Sequence, residues 1–332
     1  MKLHLDENAF KQIISNVNQR TEYREDILEK DYYVTLILQE LAVKQQNGLK
    51  AYFKGGTALY KALQTTRRFS EDIDLSVDVR DCTRSQSDKR LEEATKKYSG
   101  LIRDKQSGTT NRSAVISNYI YKPVVNYDAE DALQRFGKVK IEATSFTISE
   151  PVESLTVMPM IYQYATDGEK NVLKEKYDVF SFQVMTISLE RAFIDKLFAA
   201  EAYTRKSAES NRAFEAAKHI YDLTVMFQLP RIKDLLSDTE QMTHLLDIRT
   251  EEEEGRLDGI PGVSPNEFRF FDEIEGNKDI QSAYNTMQRQ YVLSSKDCIS
   301  FEDAAKTIKD IQSQLKMCSA WTEYRLKKDP VP

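Results

Sequence analysis

Residues 54–77 read KGGTALYKALQTTRRFSEDIDLSV, and this stretch restricts the fold more than any other. Two adjacent glycines break the element before them, because glycine adopts turns and close approaches that other residues avoid. TALYKALQ then resumes apolar residues at three- and four-residue intervals, the period of a helix. DIDLSVDV alternates instead, the period of a strand. AYF, before the glycines, is short, aromatic and β-prone. On the DID strand Asp72, Asp74, Ser76 and Asp78 share one face, and Ile73, Leu75, Val77 and Val79 share the other.

Taken alone, that alternation describes an antiparallel strand with one wet, acidic face. Two features extend it. Carboxylates at i and i+2 lie ~6.6 Å apart at Cα, which lets both side chains converge on a pair of divalent cations ~3.5–4 Å apart. Gly55, Gly56 and Thr57 also stand at a helix N-terminus, where free backbone N–H groups hold a phosphate. KVKIEAT alternates as well, with Lys138, Lys140, Glu142 and Thr144 on one side and Val139, Ile141 and Ala143 on the other. If this strand neighbours the DID strand, Glu142 faces Asp72 and Asp74. In isolation it is a solvent-facing glutamate on an edge strand.

Elsewhere the pattern is helical at both ends. Residues 7–46 carry helical periodicity without internal Gly or Pro. Residues 108–128 offer one or two strands, and PVESLTVMP (151–159) reads as irregular, its prolines marking a seam. SLERAFIDKLFAAEAYTR has an N-cap serine and an early glutamate, and RAFEAAKHIYDLTVMFQL is a second helix stopped by Pro230. RTEEEEGRLDGIPGVSP reads as a loop with a solvated acidic run, and residues 300–326 as an amphipathic helix. The expected class is α+β: an α/β domain with a mixed sheet over residues 1–160, then a mainly helical domain over 161–332.

Composition narrows the functional classes. The chain has 332 residues, 40% hydrophobic and 30% charged, which suits a folded chain of two domains. MKLHLDENAFKQ lacks the apolar core of a secretory signal, and no apolar run approaches the ~18 residues of a membrane helix. Cys82, Cys298 and Cys318 are far apart and without metal spacing, as expected of free thiols in a reducing cytosol. The three histidines form no HxH or HExxH pattern, which argues against zinc. A net charge of −6 excludes a nonspecific nucleic-acid sponge but not a local basic cleft.

The order Gly-Gly-Thr, helix, Ser-x-Asp-x-Asp, strand acid resembles the DNA polymerase β-like nucleotidyltransferase superfamily. More narrowly, KGGTALYKA with RFSEDIDLSV is similar to its AbiEii/AbiGii branch, the toxins of phage-abortive-infection and MenAT-type toxin–antitoxin pairs. EKDYYVTLILQEL upstream and FIDKLFAAEAYTR with KHIYDL downstream match the same pattern, so the resemblance spans roughly residues 25 to 228. It implies that Gly55, Gly56 and Thr57 bind the phosphates of an NTP substrate. It further implies that Asp72 and Asp74 hold Mg²⁺ (or Mn²⁺), with Glu142 the candidate third acid. Ser70 would sit beside the triphosphate, and Lys196 and Asp222 would complete the site from the helical half. Apart from the resemblance, Lys196 is equally a lysine at a core boundary, and Asp222 a partner for Arg212 or Lys218. Arg67 and Arg68, just before the acidic strand, are phosphate ligands or ordinary loop cations.

The activity implied is transfer of a nucleoside monophosphate to an acceptor hydroxyl with release of pyrophosphate. The family points to the tRNA 3′ end as acceptor, a co-encoded antitoxin as partner and the cytoplasm as location. Two alternatives stay open: nucleotidylation of a protein, or of Ser70 itself, and a sensor that binds NTP without transferring anything. The intact Asp72–Asp74 pair weighs against the sensor.

Overall fold

The computed structural model describes residues 1–21, 23–65, 67–111, 113–126, 136–209, 211–254 and 264–325. The chain divides into two compact units. The first takes Met1–Gln64 and Phe69–Ile187; the second takes Thr65–Arg68 and the chain from Ser188 onward.

The first unit is built on a seven-stranded sheet, with strands β1 (Ala51–Lys54), β2 (Ile73–Val77), β3 (Ile102–Thr110), β4 (Ala114–Ile120), β5 (Lys138–Thr144), β6 (Val152–Val157) and β7 (Phe182–Ile187). Their order is β3-β4-β5-β2-β1-β7-β6. The sheet is mixed: β2 runs parallel to β5 and β1 parallel to β7, and the other neighbours are antiparallel. Alternation buries Ile73, Leu75, Val77, Val139, Ile141 and Ala143 completely. Helix Arg84–Lys96 packs on β4, β5 and β2, and helix Glu25–Gln46 on β7 and β5. The latter is buried without a break from Asp26 to Leu38, so its charged residues need internal partners. Asp31 accepts from Lys61 Nζ at 2.6 Å and from the Met160 N–H at 2.7 Å, and Glu29 accepts from the Val124 N–H at 2.7 Å. Tyr32 and Tyr33 are core residues of this helix.

The second unit is helical. Helix Leu189–Thr204 begins at Ser188, whose side chain accepts from the Arg191 N–H, and packs on helix Arg212–Met226. Helices Lys278–Tyr291 and Phe301–Leu315 pack on that same helix. Residues 65–68 join this unit through a bridge from Arg68 to Val292 and a 3.0 Å bond from the Leu293 N–H to the Arg67 carbonyl.

Four segments differ from the sequence expectation. PVESLTVMP is not irregular: its centre is β6, an edge strand whose prolines flank it rather than interrupt it. RTEEEE is not loop, since it forms the last turns of helix Thr239–Glu254; the GRLDGIPGV that follows lies outside the described residues. Pro230 opens a helix, Pro230–Ser237, at the position where its missing N–H costs nothing. The amphipathic C-terminal stretch is two helices, Phe301–Leu315 and Ser319–Glu323.

Candidate active site

The parallel pairing of β2 with β5 sets Asp74 directly opposite Glu142, and the pairing with β1 sets Lys54 opposite Asp74. Residues opposed in register point to one face. The acids expected from spacing are therefore brought together, with Lys54 and Lys140 on the same face. Lys140 Nζ lies 2.6 Å from Asp72 Oδ2 and 3.8 Å from Glu142 Oε2. Lys54 Nζ lies 3.2 Å from Thr144 Oγ1. Three carboxylates against two ammonium groups leave this face acidic.

The charges shift one another. Burial raises the pKa of Asp74 to about 6, and Asp72 and Glu142 push it the same way against Lys54 and Lys140. Burial works against the charge of Lys140, but Asp72 and the other acids outweigh it and hold the ammonium above its ordinary range.

Among the described residues no three or more His, Cys, Asp or Glu side chains are grouped so that they could hold a metal ion together. The donor set nevertheless fits a hard divalent ion. Mg²⁺ is ordinarily held by one or two carboxylates, its other ligands being water and substrate phosphate. Asp72 and Asp74 would supply those carboxylates, and the Lys140 ammonium on Asp72 shows that a cation is accommodated there.

The glycine turn is built against this group. Gly55 has φ +79 and begins helix Gly55–Lys61, whose first turn no side chain caps. A Cβ on Gly55 would lie 2.1 Å from Asp74 Oδ2. The residue is glycine both for its conformation and because Asp74 occupies the space. Gly55→Ala is expected to lower the melting temperature by several degrees, since the backbone term alone is about 1–2 kcal/mol. It should also weaken divalent-ion binding by displacing Asp74. A melt within one degree of wild type would show that the carboxylate gives way without loss.

Thr57 plays a part its motif did not suggest. It is fully buried, its hydroxyl 2.9 Å from Ser70 Oγ and bonded to the Asp72 carbonyl. It therefore fixes the chain that carries Ser70 and Asp72, while Gly55 and Gly56 begin the helix. Ser70 is half-buried.

Lys196, Asp222 and Arg68 meet within the second unit. Arg68 donates to both Asp222 oxygens, at 2.8 and 2.6 Å, and Lys196 Nζ stands 2.5 Å from Oδ2. Burial alone would raise the Asp222 pKa, but the guanidinium and the ammonium outweigh it and hold the carboxyl well below its ordinary range. Neither partner suggested by local spacing is used: Lys218 pairs with Glu215 at 2.9 Å, and Arg212 stands 3.8 Å from Glu209. Arg68 is thus buried, whereas Arg67 is exposed. His219 stacks on Tyr203 at 5.4 Å, and burial, aided by Lys196, holds its ring neutral. Lys140 was missed in the sequence as a site feature, and so was the pairing of Arg68 with Asp222, which the sequence had named separately. Only the alternation of KVKIEAT, which puts Lys140 on the face of Glu142, hinted at the first.

A family model described as "Nucleotidyl transferase AbiEii toxin, Type IV TA system" matches residues 36–307. Among solved structures, the crystal structure of JHP933 from Helicobacter pylori is similar at 15% identity and a TM-score of 0.43, covering 91% of this chain and 97% of that one. No curated protein matches.

Proposed function

The chain belongs to the AbiEii nucleotidyl transferase toxin family of type IV toxin–antitoxin systems, and from that premise we propose that it moves a nucleoside monophosphate from an NTP to the 3′-hydroxyl of a tRNA. The observation that carries this reading is the register of β2 and β5. It sets Asp74 against Glu142 beside the uncapped helix start at Gly55. Carboxylates that hold metal then adjoin N–H groups that hold phosphate, the arrangement that nucleotidyl transfer needs.

Magnesium, when bound, would neutralise the triphosphate and polarise the α-phosphorus. The chain's residues do the rest. Asp72 and Asp74 would hold the ions, and Gly55 and Gly56 would present backbone N–H groups to the phosphates. Ser70, positioned by Thr57, hydrogen-bonds a phosphate oxygen. Arg67, exposed and just before the acids, adds positive charge for the phosphates. The family resemblance assigns Lys196, which pairs with the buried Asp222, to the triphosphate. The acceptor oxygen bonds to the α-phosphorus and the α–β anhydride bond breaks. Pyrophosphate leaves, and the hydroxyl proton passes to Glu142.

The family implies an antitoxin partner, and no helix among the described residues is long and apolar enough to cross a membrane. Action in the cytoplasm on tRNA follows from the same premise. Purified protein with Mg²⁺ and each of four α-³²P-labelled NTPs, with and without total tRNA, tests the proposal. Label is expected in RNA from one nucleotide. Label on the protein instead would favour the alternative target, which the net charge of −6 makes worth the control. NTP bound with no label anywhere would overturn catalysis.

A further inference from the structure

We infer that Lys140 is a displaceable counter-cation of the acidic site: it occupies Asp72 in the metal-free protein, competes there with the divalent ion, and sets the metal concentration at which the site loads. This rests on the reading of Asp72 and Asp74 as metal ligands.

The position follows from the strands. Lys140 is two residues before Glu142 on β5 and points to the same face, and Glu142 is level with Asp74. The ammonium therefore falls on the Asp72 side of the acidic group, 2.6 Å from one oxygen of Asp72 and 3.8 Å from Glu142. Asp72, Asp74 and Glu142 at strand spacing repel one another, and a cation among them relieves that repulsion. Lys140 provides this cation from within the chain. A divalent ion at Asp72 would share the carboxylate that Lys140 holds, and the two cations repel one another there.

Displacement is sterically easy. The Lys140 side chain is 35% exposed, and so the ammonium leaves without opening the core. Its neighbours outward on the same face of the sheet are Asn118 in register on β4, Lys138 on its own strand, and the exposed Ile120. A four-carbon stem with a mobile ammonium suits a group that must both fill a site and vacate it. The closest comparison within the protein is Lys61, buried on Asp31 with a side chain 2% exposed, which has no such exit. The two lysines separate a replaceable charge from a fixed one.

Mn²⁺ binding to the nucleotide-free protein, measured by titration calorimetry or by the loss of free-ion paramagnetic resonance, tests the inference. Lys140→Met removes the competing charge and keeps the stem, and is expected to bind Mn²⁺ roughly tenfold more tightly. Lys140→Arg should stay near wild type. A structural injury would weaken binding, so the direction of change separates competition from damage; Lys140→Gln provides a second neutral variant should the methionine variant fold poorly. Unchanged or weaker binding in the neutral variants, with Asp72→Asn still abolishing it, would overturn the role of Lys140 and leave the metal site standing. Wild-type binding in Asp72→Asn would overturn both.

Discussion

Asp74→Asn is expected to abolish nucleotidyl transfer while making the metal-free protein more stable above pH 6. The two effects have one cause. Asp74 lies in the floor of the acidic group, where burial first, and Asp72 and Glu142 after it, raise its pKa from 3.8 to about 6. Between those values the folded protein binds a proton that the unfolded chain has released. This group's contribution to stability is therefore greatest below pH about 4, falls as pH rises towards 6, and stays lower above it. At pH 8 the ionised carboxylate costs roughly 2–3 kcal/mol, a penalty an asparagine does not carry. Thermal melts should show the variant several degrees above wild type at pH 8 and level with it below pH 4. Adding Mg²⁺ should raise the wild type alone and narrow the gap. Transfer in the variant should fall by at least ~10³-fold, because the amide no longer neutralises the ions or the triphosphate they carry. A variant that melts below wild type at pH 8 would contradict the repulsion between the acids. One that still transfers would remove Asp74 from the chemistry.

The acidic site was legible in the sequence because the strands that carry it alternate. DIDLSV and KVKIEAT show period two, and period two fixes faces before any neighbour is known. The sequence could not reveal which strands are adjacent. That Glu142 faces Asp74 depends on β5 entering the sheet beside β2, a pairing between residues far apart in the chain. The same holds for β7, which slots beside β1, and for β6 at the edge, where prolines at both ends hid a strand. Gly55 shows the converse. A glycine pair signals a turn, but its closeness to the Asp74 carboxylate appears only when the helix and the strand are seen together. Buried ion pairs were the least legible features. Asp31 with Lys61, and Asp222 with Arg68, join residues that no local pattern connects.

Asp222→Ala should cost the helical unit about 3–5 kcal/mol of stability. Asp222 is fully buried and carries two cations, Arg68 through both oxygens and Lys196 through one. Removing it takes the carboxylate from between a guanidinium and an ammonium that are both nearly buried. Lys196→Met should be far milder, since the bidentate Arg68–Asp222 pair survives intact. Arg68→Met should fall between them, because it removes the bidentate partner of Asp222 while the Lys196 ammonium stays on the buried carboxylate. Urea denaturation at pH 7 ranks the three. The Asp222 carboxyl is held below its ordinary pKa of 3.8, so its contribution is present above that pH and is lost as pH falls below it. The difference between wild type and Asp222→Ala should accordingly shrink in acid. Lys196→Met then separates structure from chemistry: a variant that folds with little loss yet fails to transfer places that ammonium on the triphosphate. One that folds and transfers normally makes the pair architectural alone.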